Sequence, residues 1–333
     1  MDIRLATIQV IKDIQPIPEA DAIQVAQILG WKVVIRKGEF NVGDKCVYCQ
    51  IDTVLPNKQE FDFLRKVNFR IRTVRMRKQV SQGIAFPLSI IPAGNYEVDQ
   101  DVTELVGIQK YVKPIPTCLG GLMKGGFPSH TPRTDEILLQ SVPGVIDEIM
   151  GKEVYITIKC DGTSATFSNF QGEIDVCSRE NSWKDTESNL YWKMFKKYKI
   201  DKTLNKEMNI SIQAEICGPS IQKNHLDLLE QQIFVFDIYD ITRARYLDYQ
   251  DMKQFCDVYK LPTVPLLQVT NFSFTIDQLV EMAKGTYESG KNREGIVIRP
   301  TVVTYSPTLD KMYSRGRLSF KVMNNVFLEK EKE

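Results

Sequence analysis

The chain has 333 residues, with 43 lysines and arginines against 42 aspartates and glutamates, a formal net charge of +1. That balance excludes a protein that attracts nucleic acid through a global basic field, so any such footprint must be local. Hydrophobic residues make up 43% and charged residues 26%, an ordinary globular composition at a length that suits two domains. Only His130 and His225 occur, which argues against a His-rich zinc site and against a Ser-His-Asp hydrolase. The chemistry then falls to lysine, arginine and carboxylates. Seven cysteines, an odd number, imply reduced thiols and an intracellular setting. No apolar run is long enough to span a bilayer, and Met1-Asp2-Ile3-Arg4 leads into a strand pattern rather than a signal peptide.

Residues 1–112 read as a run of short strands. Residues 5–10, 23–29, 32–36 and 46–51 are rich in β-branched side chains, and Pro16, Pro18, Gly38, Gly43 and Asp44 mark turns between them. This spacing predicts a small OB-like β-barrel. From Phe63 to Tyr96 there are seven basic residues and no acidic one. Arg70, Arg72, Arg75, Arg77 and Lys78 nearly alternate, but the parity changes after Arg72, so a bulge is needed to turn them to one face. Such a face suits a phosphate backbone. A solvated strand face is the plainer alternative.

Residues 113–130 gather Pro114, Pro116, Gly120, Gly121, Gly125, Gly126 and Pro128 and read as a linker. Residues 131–333 form the second domain. Thr131-Pro132-Arg133-Thr134-Asp135 predicts a helix start, with a hydroxyl cap and a first-turn proline. From Glu153 onward strands and helices alternate. Residues 191–198, 250–259 and 276–287 read as helices, and the tail from Glu329 to Glu333 as a solvated end.

Within this domain, residues 156–167 (ITIKCDGTSATF) read as an apolar strand, a turn at Asp161-Gly162 and a second strand. The pattern predicts a hairpin with Lys159 at its mouth and a glycine that lets backbone approach a ligand. An ordinary lysine, with a pKa of about 10.4, is an ammonium at neutral pH. To act as a nucleophile its pKa must be lowered by burial or nearby cations.

Downstream come Cys177-Ser178-Arg179-Glu180, Gln213-Ala214-Glu215-Ile216-Cys217-Gly218-Pro219, Phe234-Val235-Phe236-Asp237-Ile238-Tyr239, Glu294-Gly295-Ile296-Val297-Ile298-Arg299 and Ser319-Phe320-Lys321-Val322. In order and spacing this series resembles motifs I, Ia, III, IIIa, IV and V of the covalent nucleotidyltransferases, the polynucleotide ligases and RNA capping enzymes. Ser164, where DNA ligases and capping enzymes carry arginine, looks like the RNA ligase version. So does the block Glu215-Ile216-Cys217-Gly218-Pro219-Ser220-Ile221-Gln222-Lys223-Asn224. The early barrel, with Arg-Ile-Arg-Thr-x-Arg-x-Arg from Arg70, resembles RNA ligases of the Naegleria and Deinococcus type, while the OB module that most DNA ligases and capping enzymes carry after motif V is not expected before the chain ends at Glu333.

The resemblance implies an α+β protein in which the barrel precedes a larger, ATP-grasp-like domain of antiparallel sheets with helices. It implies an ATP-dependent RNA ligase that seals 3′-OH/5′-phosphate nicks with magnesium or manganese. It gives Lys159 as nucleophile, Asp161 and Lys321 as catalytic partners, and Asp161 and Glu294 as holders of a hydrated metal ion. Ile158, Ser164, Arg179, Glu215, Phe236, Arg299 and Lys321 are expected around the nucleotide, and Arg70, Arg72, Arg75, Arg77 and Lys78 on RNA. Met323 stands where phage relatives carry a second lysine, Glu180 where an asparagine is usual, and Arg299 where a lysine is more common. Cys160 is expected to point away from the site. A monomer is the default expectation. A capping-type guanylyltransferase and an inactive RNA-binding protein remain as alternatives.

Overall fold

The computed structural model of the protein describes residues 4–112, 121–204, 208–313 and 316–330. Linker positions Pro114, Pro116 and Gly120 and the last three residues of the charged tail lie outside them.

The first core runs from Leu5 to Ile108 and packs Ile8, Ile28, Trp31, Val33, Val47, Phe61 and Ile71. Three three-stranded antiparallel sheets surround it, the smallest ordering Gln109–Lys110, Thr53–Val54 and Arg70–Ile71; the other two are larger. One orders Ala6–Val10, Lys45–Cys49 and Ile84–Phe86; the other orders Asp13–Pro16, Ile23–Ile28 and Trp31–Arg36. Alternation in Trp31–Arg36 is plain, with Trp31, Val33 and Ile35 buried and Lys32 and Arg36 exposed. Cys46 and Cys49 stand at C-x-x-C spacing, but both lie buried in this core, where burial pushes the Cys46 thiol up to about 12.

The basic run of the barrel is not one strand face. Arg70–Ile71 pairs with Thr53–Val54, and Val74–Met76 turns back on Gln79–Ser81. Arg77 and Lys78 form the two-residue turn, at φ 47° and 67°, because a tight hairpin needs left-handed residues there. The change of parity after Arg72 comes from the break at Arg72-Thr73 between two strands of different sheets, rather than from a bulge. Arg72, Arg75, Arg77 and Lys78 are exposed, while Arg70 is half-buried under Tyr111, its guanidinium 3.6 Å from the ring centre.

The larger domain has two sheets. The seven-stranded one is antiparallel throughout, in the order Met123–Gly126, Asn181–Trp183, Glu173–Cys177, Thr163–Phe170, Ile210–Cys217, Gln232–Asp240, Arg245–Tyr246. The five-stranded one orders Ile137–Leu138, Phe320–Met323, Gly295–Pro300, Glu153–Lys159, Leu266–Asn271. Its core holds Val154, Ile156, Ile296, Ile298, Phe320 and Val322.

Two expectations fail here. Residues 131–135 do not begin a helix: the hydroxyls of Thr131 and Thr134 bond Ser211 Oγ (2.6 Å) and Ser164 Oγ (2.7 Å), and Ile137–Leu138 is a strand parallel to Phe320–Met323. The side chains that could have capped a helix are taken by the neighbouring sheet. Nor do residues 156–167 form a hairpin. Glu153–Lys159 pairs with Gly295–Pro300 in one sheet, and Thr163–Phe170 pairs with Ile210–Cys217 in the other. The chain crosses between sheets at residues 160–162.

That crossing explains Gly162. A Cβ there would lie 2.3 Å from Ile216 O and 2.8 Å from both Cys217 Sγ and Glu215 Cγ. The glycine lets the Glu215 strand approach. Gly30 serves the domain junction in the same way. Its N–H donates to Gln140 O at 2.9 Å, and a Cβ would meet Gln140 Cα at 2.8 Å. The barrel is thereby seated against the larger domain.

Candidate nucleotide site

A cleft of about 590 Å³ opens where the two sheets part and the barrel covers one side. Lys159 ends one strand beside Gly295, and Asp161 sits on the crossing. Glu215 comes from the facing sheet, opposite Ser164, while Lys321 pairs in register with Val297. All of these line the cleft, with Glu294, Arg179, Ile158, Phe236 and Arg299. The barrel adds Asp52, Arg70, Lys110 and Tyr111 to the rim. A volume in this range suits a nucleotide-sized ligand.

Lys159 Nζ donates to Glu294 Oε2 at 2.7 Å. Burial pulls its pKa down, but the carboxylates of Glu294, Glu215 and Asp161 together reverse this and carry it above the ordinary value. The amine is therefore held as an ammonium in the isolated protein. Lys321 moves the other way. Burial, then the positive charge of Lys159, pulls it down to about 8. Glu215 is pushed up to about 8, by burial first and then by Glu294 and Asp161, while Lys159 pulls it back.

The remaining expected residues differ in how free they are. Arg179 is exposed and bonds Asp135, and Glu180 is taken by Arg133, so the acid beside Arg179 has its own cation. Phe236 is the extra residue of a bulge: Gln213 pairs with Asp237 and Ala214 with Val235, leaving it unpaired and facing the cleft. Phe234 packs with Cys160, Cys217 and Val264. Arg299 is 2% exposed, and its guanidinium bonds Glu136 at 2.7 Å and Ser319 at 3.1 Å and lies 3.3 Å from Asp237. It braces the floor of the cleft and has little left to offer a ligand. Within the basic run, Arg75 is tied in an ion pair with Glu329, at 2.7 and 2.9 Å.

Two site residues escaped the sequence reading. His225 Nδ1 lies 2.5 Å from Asp161 Oδ2, its ring edge-on to Phe327 at 5.0 Å. It is carried by residues 220–227, where Ser220, Gln222, Asn224 and Asp227 all have positive φ. Tyr287 places its hydroxyl among the main chains of Lys159, Asp161 and Glu294. Tyr287 lies beyond the helix Ile276–Ala283, which ends short of the expected 287, and His225 follows directly on the block that resembles RNA ligases.

Among the described residues, no three His, Cys, Asp or Glu side chains converge at metal-ligand spacing. The donor set nonetheless suits a hydrated divalent cation: Asp161, Glu215 and Glu294 surround one lysine, and their surplus negative charge raises Glu215. Asp161 and Glu294 would hold such an ion mostly through its water. Among the described residues, no helix is long and apolar enough to cross a membrane.

A family model described as RNA ligase matches residues 152–323, and one described as an OB-fold domain matches residues 5–88. Solved structures of Naegleria gruberi RNA ligase are similar over nearly the whole chain. An apo mutant is 33% identical, with a TM-score of 0.88, covering 99% of this chain and 98% of its own. A mutant with AMP and Mn is 33% identical, at 0.88, covering 98% and 99%. The ligase with PPi is 34% identical, at 0.88, covering 99% of each. No match was found among the curated proteins.

Proposed function

The chain belongs to the RNA ligase family, and from that we propose that it seals nicks between RNA 3′-hydroxyl and 5′-phosphate ends through a lysyl-AMP on Lys159. The reading is supported above all by the Lys159 amine lying among Glu294, Glu215 and Asp161, with Lys321 behind it, in a nucleotide-sized cleft. The Naegleria ligase structures with AMP and Mn, and with ATP and Mn, support ATP and a divalent metal as its partners.

In the first step Lys159 Nζ, having lost a proton, attacks the α-phosphorus of ATP. A P–N bond forms, the α–β P–O bond breaks, and pyrophosphate leaves. A 5′-phosphate oxygen of the nick then displaces the lysine, breaking the P–N bond, and the 3′-hydroxyl finally displaces AMP. Phosphoryl transfer asks for positioning and charge compensation. Lys321 and Arg179 compensate charge on the phosphates. Glu215 accepts from ribose hydroxyls, Phe236 offers a face to adenine, and Ile158 and Ser164 close the pocket. Asp161 and Glu294 would hold magnesium or manganese through its water, and the ion would supply further positive charge to the phosphates.

Residues 1–112 serve as the nucleic-acid module, 113–130 as linker and 131–333 as the adenylyltransferase domain. Arg72, Arg77 and Lys78 meet the RNA backbone from the barrel, joined by Arg75 once it leaves Glu329. Arg70 faces the cleft instead.

The test is labelled nucleotide transfer. Incubation with manganese and α-labelled ATP should leave acid-stable label on the wild-type protein and none on Lys159→Ala. Label from GTP alone would move the reading to a capping enzyme, and no label to a binding protein. Nicked duplexes with each strand made RNA or DNA in turn then decide the substrate.

A further inference from the structure

We propose that Tyr287 is a positioning residue for nucleotidyl transfer, its phenol fixing the main chain on which Lys159, Asp161 and Glu294 stand. The inference rests on the ligase reading above. A phenol has one donor and two acceptor sites, and all three are used on these residues. The hydroxyl donates to Lys159 O at 2.8 Å and accepts from Asp161 N and Glu294 N, each at 3.1 Å.

Lys159 is the last residue of its strand, and Asp161 belongs to neither sheet. Pairing with the neighbouring strand ends at Lys159 and Gly295. At this corner the phenol supplies bonds that the sheet ladders do not. Lys159 ends one strand and Glu294 immediately precedes another, so the phenol ties the ends of both at one atom. Tyr287 is 6% exposed and is not among the residues lining the cleft, so it acts through its neighbours and not on substrate. Its own position is held by Tyr287 N donating to Lys291 O at 2.8 Å and by a bridge between Thr286 and Asn292.

Tyr287→Phe keeps the ring and removes the three bonds. A displacement of the attacking atom by about 1 Å can cost about 100-fold in rate, so labelling of Lys159 from ATP with manganese should slow about 10- to 100-fold. The KM for ATP should stay within about threefold, since the contacts to nucleotide remain. Sealing of a nick supplied already adenylylated does not use the lysine as nucleophile, and it should fall at least about tenfold less than labelling. Amide hydrogen exchange at Asp161 and Glu294 should quicken locally while the melting temperature stays near wild type.

Equal loss of both reactions, a collapse of the melting temperature, or unchanged exchange at those two amides would each overturn the proposal in favour of ordinary packing. Wild-type labelling with an unaffected variant would do the same. A wild-type protein that takes no label sinks the ligase reading instead, and the exchange measurement then still decides whether the phenol holds this corner.

Discussion

Replacing Glu215 by glutamine tests the electrostatics of the cleft without nucleotide or metal. The carboxyl rises from 4.5 to about 8, first through burial and then through Glu294 and Asp161. In the folded protein it keeps its proton across that range, whereas in the unfolded chain it has already released it. The folded state binds more protons, so wild-type stability falls as pH climbs from about 4.5 to about 8 and is level with respect to this group beyond. A displacement of about 3.5 pH at 1.36 kcal/mol per pH sets a ceiling of about 5 kcal/mol. Water reaches the cleft mouth, and with screening about half survives, roughly 2 kcal/mol. Glutamine cannot ionise, so the variant should gain on wild type steadily through the window, reaching about 4 °C in melting temperature at pH 8 to 9. Melts at intervals from pH 4.5 to 9, in chelator, give the difference curve. A flat curve, or a variant that loses ground as pH rises, refutes the account.

Lys321→Met should show the complementary trend. A base pulled down to about 8 costs stability below that pH and is relieved as its proton leaves the folded state, so the variant's advantage should be constant to about pH 8 and vanish by about 10.5, as melts in the same buffers would show. Gly162→Ala should destabilise by about 1 to 3 kcal/mol in chemical denaturation, because its methyl would meet Ile216 O. Breaking the exposed Arg75–Glu329 pair should change stability by no more than about 1 kcal/mol. On RNA the two partners should diverge, Arg75→Ala weakening binding and flattening its salt dependence by about one charge and Glu329→Gln tightening binding.

The cleft's acids and amines were legible because the segments that carry them, taken in order, resemble the motifs of the covalent nucleotidyltransferases. Glu215 among buried neighbours and Lys321 beside Phe320 are improbable places for charge without a task. What was not legible depended on pairing between distant segments. A strand, Asp-Gly and a second strand look like a hairpin whatever their partners. Only the pairing of Ile158 with Ile296 and of Thr163 with Ile216 sends the two strands to separate sheets. Thr131 and Thr134 carry cap chemistry, yet Ser211 and Ser164 claim them. Tyr287 acts through main-chain groups, which every residue carries, so nothing in the types of its partners could announce it.

The charges around Lys159 likewise say what would have to change before this amine could attack. Burial is the largest single influence on this amine and it lowers the pKa. Glu294, then Glu215 and Asp161, overturn that. The proton is therefore held by the same carboxylates whose surplus charge suits a cation. Drawing their charge toward another positive centre leaves burial to act, with Lys321 adding its repulsion, and the amine falls toward the range where it can attack. A triphosphate entering alone adds negative charge and holds the proton more firmly, so nucleotide without cation should leave Lys159 inert.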